Sequence, residues 1–200
     1  MRVNIIVFGA SKGVGRQVVQ QALSKGHSVT AFARNLNLEP HPNLSLITGD
    51  VLDAEAVNRA VTGFDAVICA LGSGNTNQGN VRSTGTANIV SAMREAGIKR
   101  LVAVSSFGVG DSRKGLVANI AWLFLRAALE EHERQEVIIR SSGLNWTIVR
   151  PTGLTNDPAT GNIRVGSSGR GRISRADVAA FVLNQLVDDT SFSRSITISS

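Results

Sequence analysis

The segment Phe8-Gly9-Ala10-Ser11-Lys12-Gly13-Val14-Gly15 constrains this chain more than any other. It follows the apolar run Val3-Asn4-Ile5-Ile6-Val7-Phe8 and opens an amphipathic stretch. Glycines at these places let one backbone approach another, or a ligand, more closely than any residue with a side chain. The spacing G-x-x-x-G-x-G between a strand and a helix predicts a βαβ unit with a pyrophosphate at the helix N-terminus. The competing reading is an ordinary turn of small residues. The strand before the loop and the helix after it count against that reading.

The rest of the chain repeats the alternation. Apolar runs predict strands at 3–8, 28–33, 44–48, 66–71, 101–105, 146–150 and 195–198. Amphipathic stretches predict helices at 13–25, 54–61, 85–96, within 116–141 and at 175–186, with Gly26, Gly97 and Gly143 ending three of them. Continuous apolar strands joined by helices imply a mostly parallel sheet covered on both faces. The expected fold is α/β, a single doubly wound Rossmann domain over residues 1–200.

Composition narrows the ligand. Hydrophobic residues make up 42% and charged residues 18%, the balance of a globular chain. The single cysteine, Cys69, excludes an intramolecular disulfide and is expected in the core. His27, His41 and His132 lack metal-ligand spacing, so no metal is expected. The longest apolar region, 116–129, is broken by Asn119 and Arg126. No membrane span is expected, and the default is a cytoplasmic protein. A net charge of +6 favours anionic ligands. Aromatics at 4% and the lack of a basic block argue against nucleic acid. A phosphorylated small molecule fits better. There is no tyrosine, which excludes any mechanism with a tyrosine proton donor.

The second strand ends in Ala31-Phe32-Ala33-Arg34-Asn35, without the acidic residue that usually serves the ribose of NAD. Arg34, with Lys12 from the glycine loop, suits a 2′-phosphate, so NADP(H) is favoured. Asp50 and Val51 follow strand three and are placed for adenine. Leu71 and Gly72 follow strand four and flank the adenosine side. For Asp50, a turn or helix-cap role competes.

At this point the chain resembles the NmrA-like group of atypical short-chain dehydrogenase/reductases, and within it the flavin- and bilin-reducing members. The resemblance rests on the glycine loop, Arg34, Gly49-Asp50-Val51-Leu52, Asp65-Ala66-Val67-Ile68 with Leu71-Gly72, and Ser105-Ser106. It continues through His132, Ser142-Gly143-Leu144, Pro151 and Ile173-Ser174-Arg175-Ala176-Asp177. It implies a monomeric NADPH-dependent reductase that takes a flavin as substrate, or a linear tetrapyrrole, by direct hydride transfer. It assigns cofactor binding to Gly9, Ser11, Lys12, Gly13, Val14, Gly15, Arg34, Asp50, Val51, Leu71, Gly72, Ser105, Pro151 and Thr152. Ser106 and His132 would stand beside the nicotinamide and substrate as catalytic residues. Arg150-Pro151-Thr152-Gly153 departs from a Pro-Pro-His segment expected there, which weighs toward flavin.

Substrate would lie over the loops 73–79, 107–114 and 152–172. Phe107 and Trp122 could offer apolar surface, and Arg113, Lys114, Arg164, Arg170 and Arg172 could attract an anionic acceptor. Each of these side chains could equally be core or solvated surface. His132 and Glu136 lie four apart on one helix face, and a charged, solvated helix is the competing reading there. The alternative function is a non-catalytic NADP(H)-sensing regulatory or interaction protein of the same group. A nucleotide-sugar epimerase is disfavoured by the missing tyrosine.

The cofactor assignment has a direct test. Arg34→Glu is expected to weaken NADPH binding by about 2–4 kcal/mol, through loss of a charge-assisted pair and added repulsion. NADH binding should change much less. Titration of both nucleotides by fluorescence checks it, and equal losses would refute the 2′-phosphate assignment.

Overall fold

The computed structural model describes residues 2–72, 80–112, 115–166 and 171–200, and within 115–125 the backbone alone. The expected loop 73–79, Arg113, Lys114 and Arg170, and the side chain of Trp122, therefore lie outside the described residues.

Strand parity builds the core. In β1 (Asn4–Phe8), Ile5 and Val7 face one side while Ile6 and Phe8 face the other. β2 (Ser28–Ala33), β3 (Leu44–Thr48), β4 (Ala66–Cys69), β5 (Arg100–Val104) and β6 (Asn145–Pro151) follow in register, each parallel to its neighbour. Side chains that alternate between two apolar faces require cover on both. α1 (Gly13–Ser24) and α5 (Arg175–Asn184) cover one face, through Val14, Val18, Val19 and Ala22 and through Val178, Ala179 and Val182. α2 (Ala54–Ala60), α3 (Val81–Glu95) and α4 (Gly115–Arg140) take the other, with Val57, Ile89, Met93 and Ile139 in its core.

The sheet order is β3-β2-β1-β4-β5-β6-β10-β8, with β10 (Arg194–Ser199) parallel to β6 and β8 (Arg164–Val165) antiparallel at the edge. The order reverses between β1 and β4. That is the switch point, where a crevice opens beyond the strand carboxyl ends. The fold is thus the expected doubly wound, mostly parallel α/β sheet.

Two differences from the sequence reading exceed two residues. α3 starts at Val81 rather than 85, although Asn80 makes no side-chain cap. The segment 152–172, read as loop, contains β7 (Gly153–Thr155) and β8, and its end begins β9 (Arg172–Ser174). β7 pairs parallel with β9 in a separate small sheet. Strands of two or three residues carry too few alternations to show a period.

Asp177 ties this region to the domain. Ser174 caps α5 by accepting from the Asp177 N–H at 3.0 Å, and its hydroxyl donates to Asp177 Oδ2 at 2.8 Å. The same carboxylate accepts from the backbone N–H groups of Thr160, at 3.0 Å, and Gly161, at 2.9 Å. Burial acts to raise its pKa, but these donors outweigh burial and hold it below the usual carboxylate range. A lowered native value means the contribution is present above the unfolded pKa and lost as pH falls through the native one. Asp177→Ala is expected to lower the unfolding free energy by about 2–3 kcal/mol at neutral pH, in urea denaturation. The gap from wild type should narrow below about pH 4.

Candidate functional site

The glycine loop has its composition because two backbones touch. Gly9 has φ +80°, and a Cβ there would strike the Ala70 carbonyl. A Cβ on Gly15 would strike the Gly9 carbonyl. β1, β4 and the start of α1 are therefore packed backbone to backbone, leaving the helix terminus bare. Lys12 precedes α1 with no side-chain cap, and no acidic residue lies in the first turn. The starts of α2, α3 and α5 are served from within the chain. Asp53 caps α2, Ser174 caps α5, and Glu131 accepts from the Ser83 N–H at the start of α3. The unserved N–H groups and positive end of α1 suit an anion.

A cavity of about 730 Å³ runs from this terminus across the switch point. Lys12, Arg34, Arg82 and Arg175 line it, against one lining carboxylate, Asp50. That charge balance matches a ligand with several phosphate charges. The Asp50 side chain also accepts from the Leu52 N–H at 3.0 Å, so it forms the turn after β3 as well as part of the wall. Asp53, not Asp50, is the cap of α2. Val51, Leu71 and Gly72 complete the wall on that side.

At the β5 end the lining residues include Val104, Ser105, His132 and Leu154. The charged stretch of α4 is split between two faces: Glu131, His132, Gln135 and Glu136 are buried, while Glu133 and Arg134 are exposed. Parity along β5 and β6 turns Ser105 and Arg150 toward α4. Arg150, 1% exposed, grips Glu136 with Nε at 2.9 Å and NH2 at 2.7 Å. Arg150 also reaches Asp111 at 2.5 Å. Burial works against the guanidinium charge, and the Glu136 and Asp111 carboxylates more than restore it. Ser105 donates to Glu136 at 2.7 Å. His132 is 9% exposed, and burial, aided by the nearby Arg82 charge, pushes its pKa down to about 3. The ring is therefore neutral at physiological pH.

Of the residues assigned from sequence, Gly9, Ser11, Lys12, Gly13, Val14, Arg34, Asp50, Val51, Leu71, Gly72, Ser105 and His132 line this one cavity. Gly15 lies beneath it, against Gly9. Ser106, Phe107, Pro151, Thr152 and Arg172 are not among its lining. The Ser106 hydroxyl donates to the Phe107 carbonyl at 3.1 Å, and Arg172 is exposed on β9. Thr152 is buried with its hydroxyl oxygen unpartnered. Sequence reasoning missed Arg82 and Arg175. Arg82 fell in an apparent loop. Arg175 comes from the far end of the chain, and its side chain lies beside Gly13.

A doubly wound sheet with a bare glycine-rich helix terminus at its switch point defines a Rossmann-type dinucleotide-binding protein. Residues 9–189 match the family model described as NAD(P)H-binding, and the chain belongs to that family. It is 35% identical over 204 residues to an uncharacterized chloroplastic protein of Arabidopsis thaliana, covering 94% of this chain and 73% of that one. A short-chain dehydrogenase/reductase of Veillonella parvula, solved with NADP, shares the fold at 24% identity and TM-score 0.85, covering 100% of this chain and 95% of that one. ChuY, an anaerobilin reductase of Escherichia coli O157:H7, is 26% identical with TM-score 0.76, covering 98% and 96%. Among the described residues no helix is long and apolar enough to cross a membrane. The plant relative is chloroplastic, whereas the sequence alone pointed to the cytoplasm.

The depressed His132 pKa sets a pH dependence. The unfolded chain takes up this proton near pH 6.5, the native state only near 3. Stability should therefore fall as pH drops from about 6 to 4, with a limiting slope of about 1.4 kcal/mol per pH unit. His27 is shifted in the same direction, so the comparison is with His132→Asn, whose slope in that window should be smaller. Urea unfolding at several pH values measures both.

Proposed function

We propose that the protein is an NADPH-dependent reductase of conjugated, anionic small molecules, flavins in particular and linear tetrapyrroles as the second class, acting as a monomer. Lys12 and Arg34 would hold the 2′-phosphate, and the bare N-terminus of α1 the pyrophosphate, with Arg175 beside it. Asp50 and Val51 would border the adenine. The Gly9 and Gly15 contacts bring the backbones of β1, β4 and α1 together beneath a helix terminus with no capping side chain and no acid in its first turn, so the residues present fit the group. When bound, NADPH supplies a hydride from its nicotinamide ring.

The chemistry at the β5 end carries the choice of substrate. Ser105 has given its hydrogen to Glu136, His132 is neutral, and the chain has no tyrosine. A simple ketone needs an acid or an oxyanion donor as charge grows on its oxygen. A flavin spreads that charge over its ring, and solvent can supply the proton. The chain's own task is then to orient the two rings, exclude water and place the Arg82 charge near the acceptor. The tetrapyrrole class draws support from the reductase named among the structural relatives.

The test is NADPH oxidation, followed by absorbance, with FMN, riboflavin or a linear tetrapyrrole added. FMN turnover is expected, and His132→Ala should lower it by less than about 100-fold, the lower end of what losing an acid or base costs. A 1,000-fold loss with NADPH binding intact would reveal a dedicated acid and overturn the mechanism. Tight NADPH binding without turnover of any acceptor would point instead to the nucleotide-sensing reading.

A further inference from the structure

We infer that Arg82, Ser105 and His132 form a matched array for a lactam or imide edge, in which the second substrate's carbonyl oxygen accepts from Arg82 and its adjacent N–H donates to Ser105 or His132. This rests on the reductase reading of the site and narrows its substrate to molecules that carry N–H beside C=O.

The direction of the Ser105 hydrogen bond follows from its carboxylate partner, and that of the His132 bond from the amide orientation of Gln135. A carboxylate only accepts. The 2.7 Å contact from Ser105 to Glu136 therefore uses the hydroxyl hydrogen, and the oxygen keeps lone pairs. Glu136 cannot swing away to release it, because Arg150 holds both of its oxygens and Arg140 reaches it at 3.0 Å. Gln135 acts likewise on His132. Its amide nitrogen donates to Thr86 at 3.3 Å and to Cys69 at 3.6 Å. That leaves the amide oxygen 3.3 Å from His132 Nδ1, so the neutral ring donates from Nδ1 and Nε2 carries the lone pair. Arg82 is the complement. Its Nε donates to the Leu71 carbonyl at 3.2 Å, and the rest of the guanidinium remains a donor on a residue that lines the cavity.

A lone ketone could satisfy Arg82 but would leave the lone pairs of Ser105 and His132 facing no donor. A lactam or imide edge satisfies both kinds of group at once. Such an edge occurs in the pyrimidine ring of flavins and in the terminal rings of linear tetrapyrroles. Glu136 is on this view a positioning residue. It sets the polarity of Ser105 without touching the substrate.

The experiment uses the full chain saturated with NADP⁺ and two matched probe pairs. One pair is lumiflavin with 3-methyllumiflavin. The other is a dipyrrinone with its N-methylated lactam. Long-range ¹H–¹⁵N spectra of the histidine rings report the tautomer of His132, and titrations report affinity. The expected result is a bare Nε2 before probe is added. At least one N–H member should then bind about tenfold or more tighter than its methylated partner. Ser105→Ala should shrink that ratio. Glu136→Gln, which gives Ser105 a group able to donate to it, should shrink it as well. A protonated Nε2, equal binding within both pairs, or no binding by any of the four probes would overturn the inference. So would an Nε2 shift on adding NADP⁺ with no discrimination afterwards, which would assign the lone pairs to the cofactor's carboxamide. The reductase reading fails separately, through absence of NADPH turnover with every acceptor.

Discussion

The ion pair between Glu136 and Arg150 organises the half of the site that no glycine motif specifies. Both side chains are almost wholly buried, between the end of β6 and the second half of α4. Taking two charges out of water is costly, and the pair persists because its geometry is bidentate and every oxygen is used. Removing one partner would leave an uncompensated buried charge, at a cost of about 3–5 kcal/mol. The pair also connects outward. Asp111 meets Arg150 from the loop after β5, Arg140 meets Glu136 from the same helix, and Ser105 hangs its hydroxyl on the carboxylate. Helix, strand ends and cavity wall are fixed relative to one another by one set of charges.

The opposite half works by leaving groups unserved. Along α1 the first turn has neither a capping side chain nor an acid, while the starts of α2, α3 and α5 each have a carboxylate or hydroxyl in place. Cations from four separate parts of the chain line the same cavity. A site with unserved N–H groups and most of the positive charge at one end, and the lone pairs of Ser105 and His132 beside the Arg82 guanidinium at the other, is asymmetric. That asymmetry suits a long ligand with phosphates at one end and a neutral reacting ring at the other.

Much of this was legible in the residues. The strand-loop-helix context made the glycines informative, because only a missing Cβ permits the approaches at Gly9 and Gly15. The alternation of apolar strands and amphipathic helices defined the sheet and its two covers. Arg34 and the missing acid beside it read correctly as the end of β2. The stretch Glu130-Glu131-His132-Glu133-Arg134 left two readings open, a site-facing His132 and a solvated helix, because charge in a helix usually means solvent; the structure buries Glu131 and His132 and exposes Glu133 and Arg134. Burial there depends on partners far away in sequence: Ser83 for Glu131, Thr86 and Cys69 for Gln135, and Arg150 for Glu136. The short strands between 153 and 174 were illegible because pairing across them is not local.

By itself, then, the sequence determined the doubly wound fold, the glycine cradle and the basic character of the ligand site, since each rests on local periodicity, on absent side chains or on net charge. Only the tertiary structure decided which polar residues face the cavity and with what polarity. Whether Ser105 offers a hydrogen or a lone pair, and whether His132 is charged or neutral, depends on desolvation and on hydrogen bonds to Glu136 and Gln135, side chains more than thirty residues from Ser105 and one turn from His132. Those are properties of a packed interior, and no spacing along the chain encodes them.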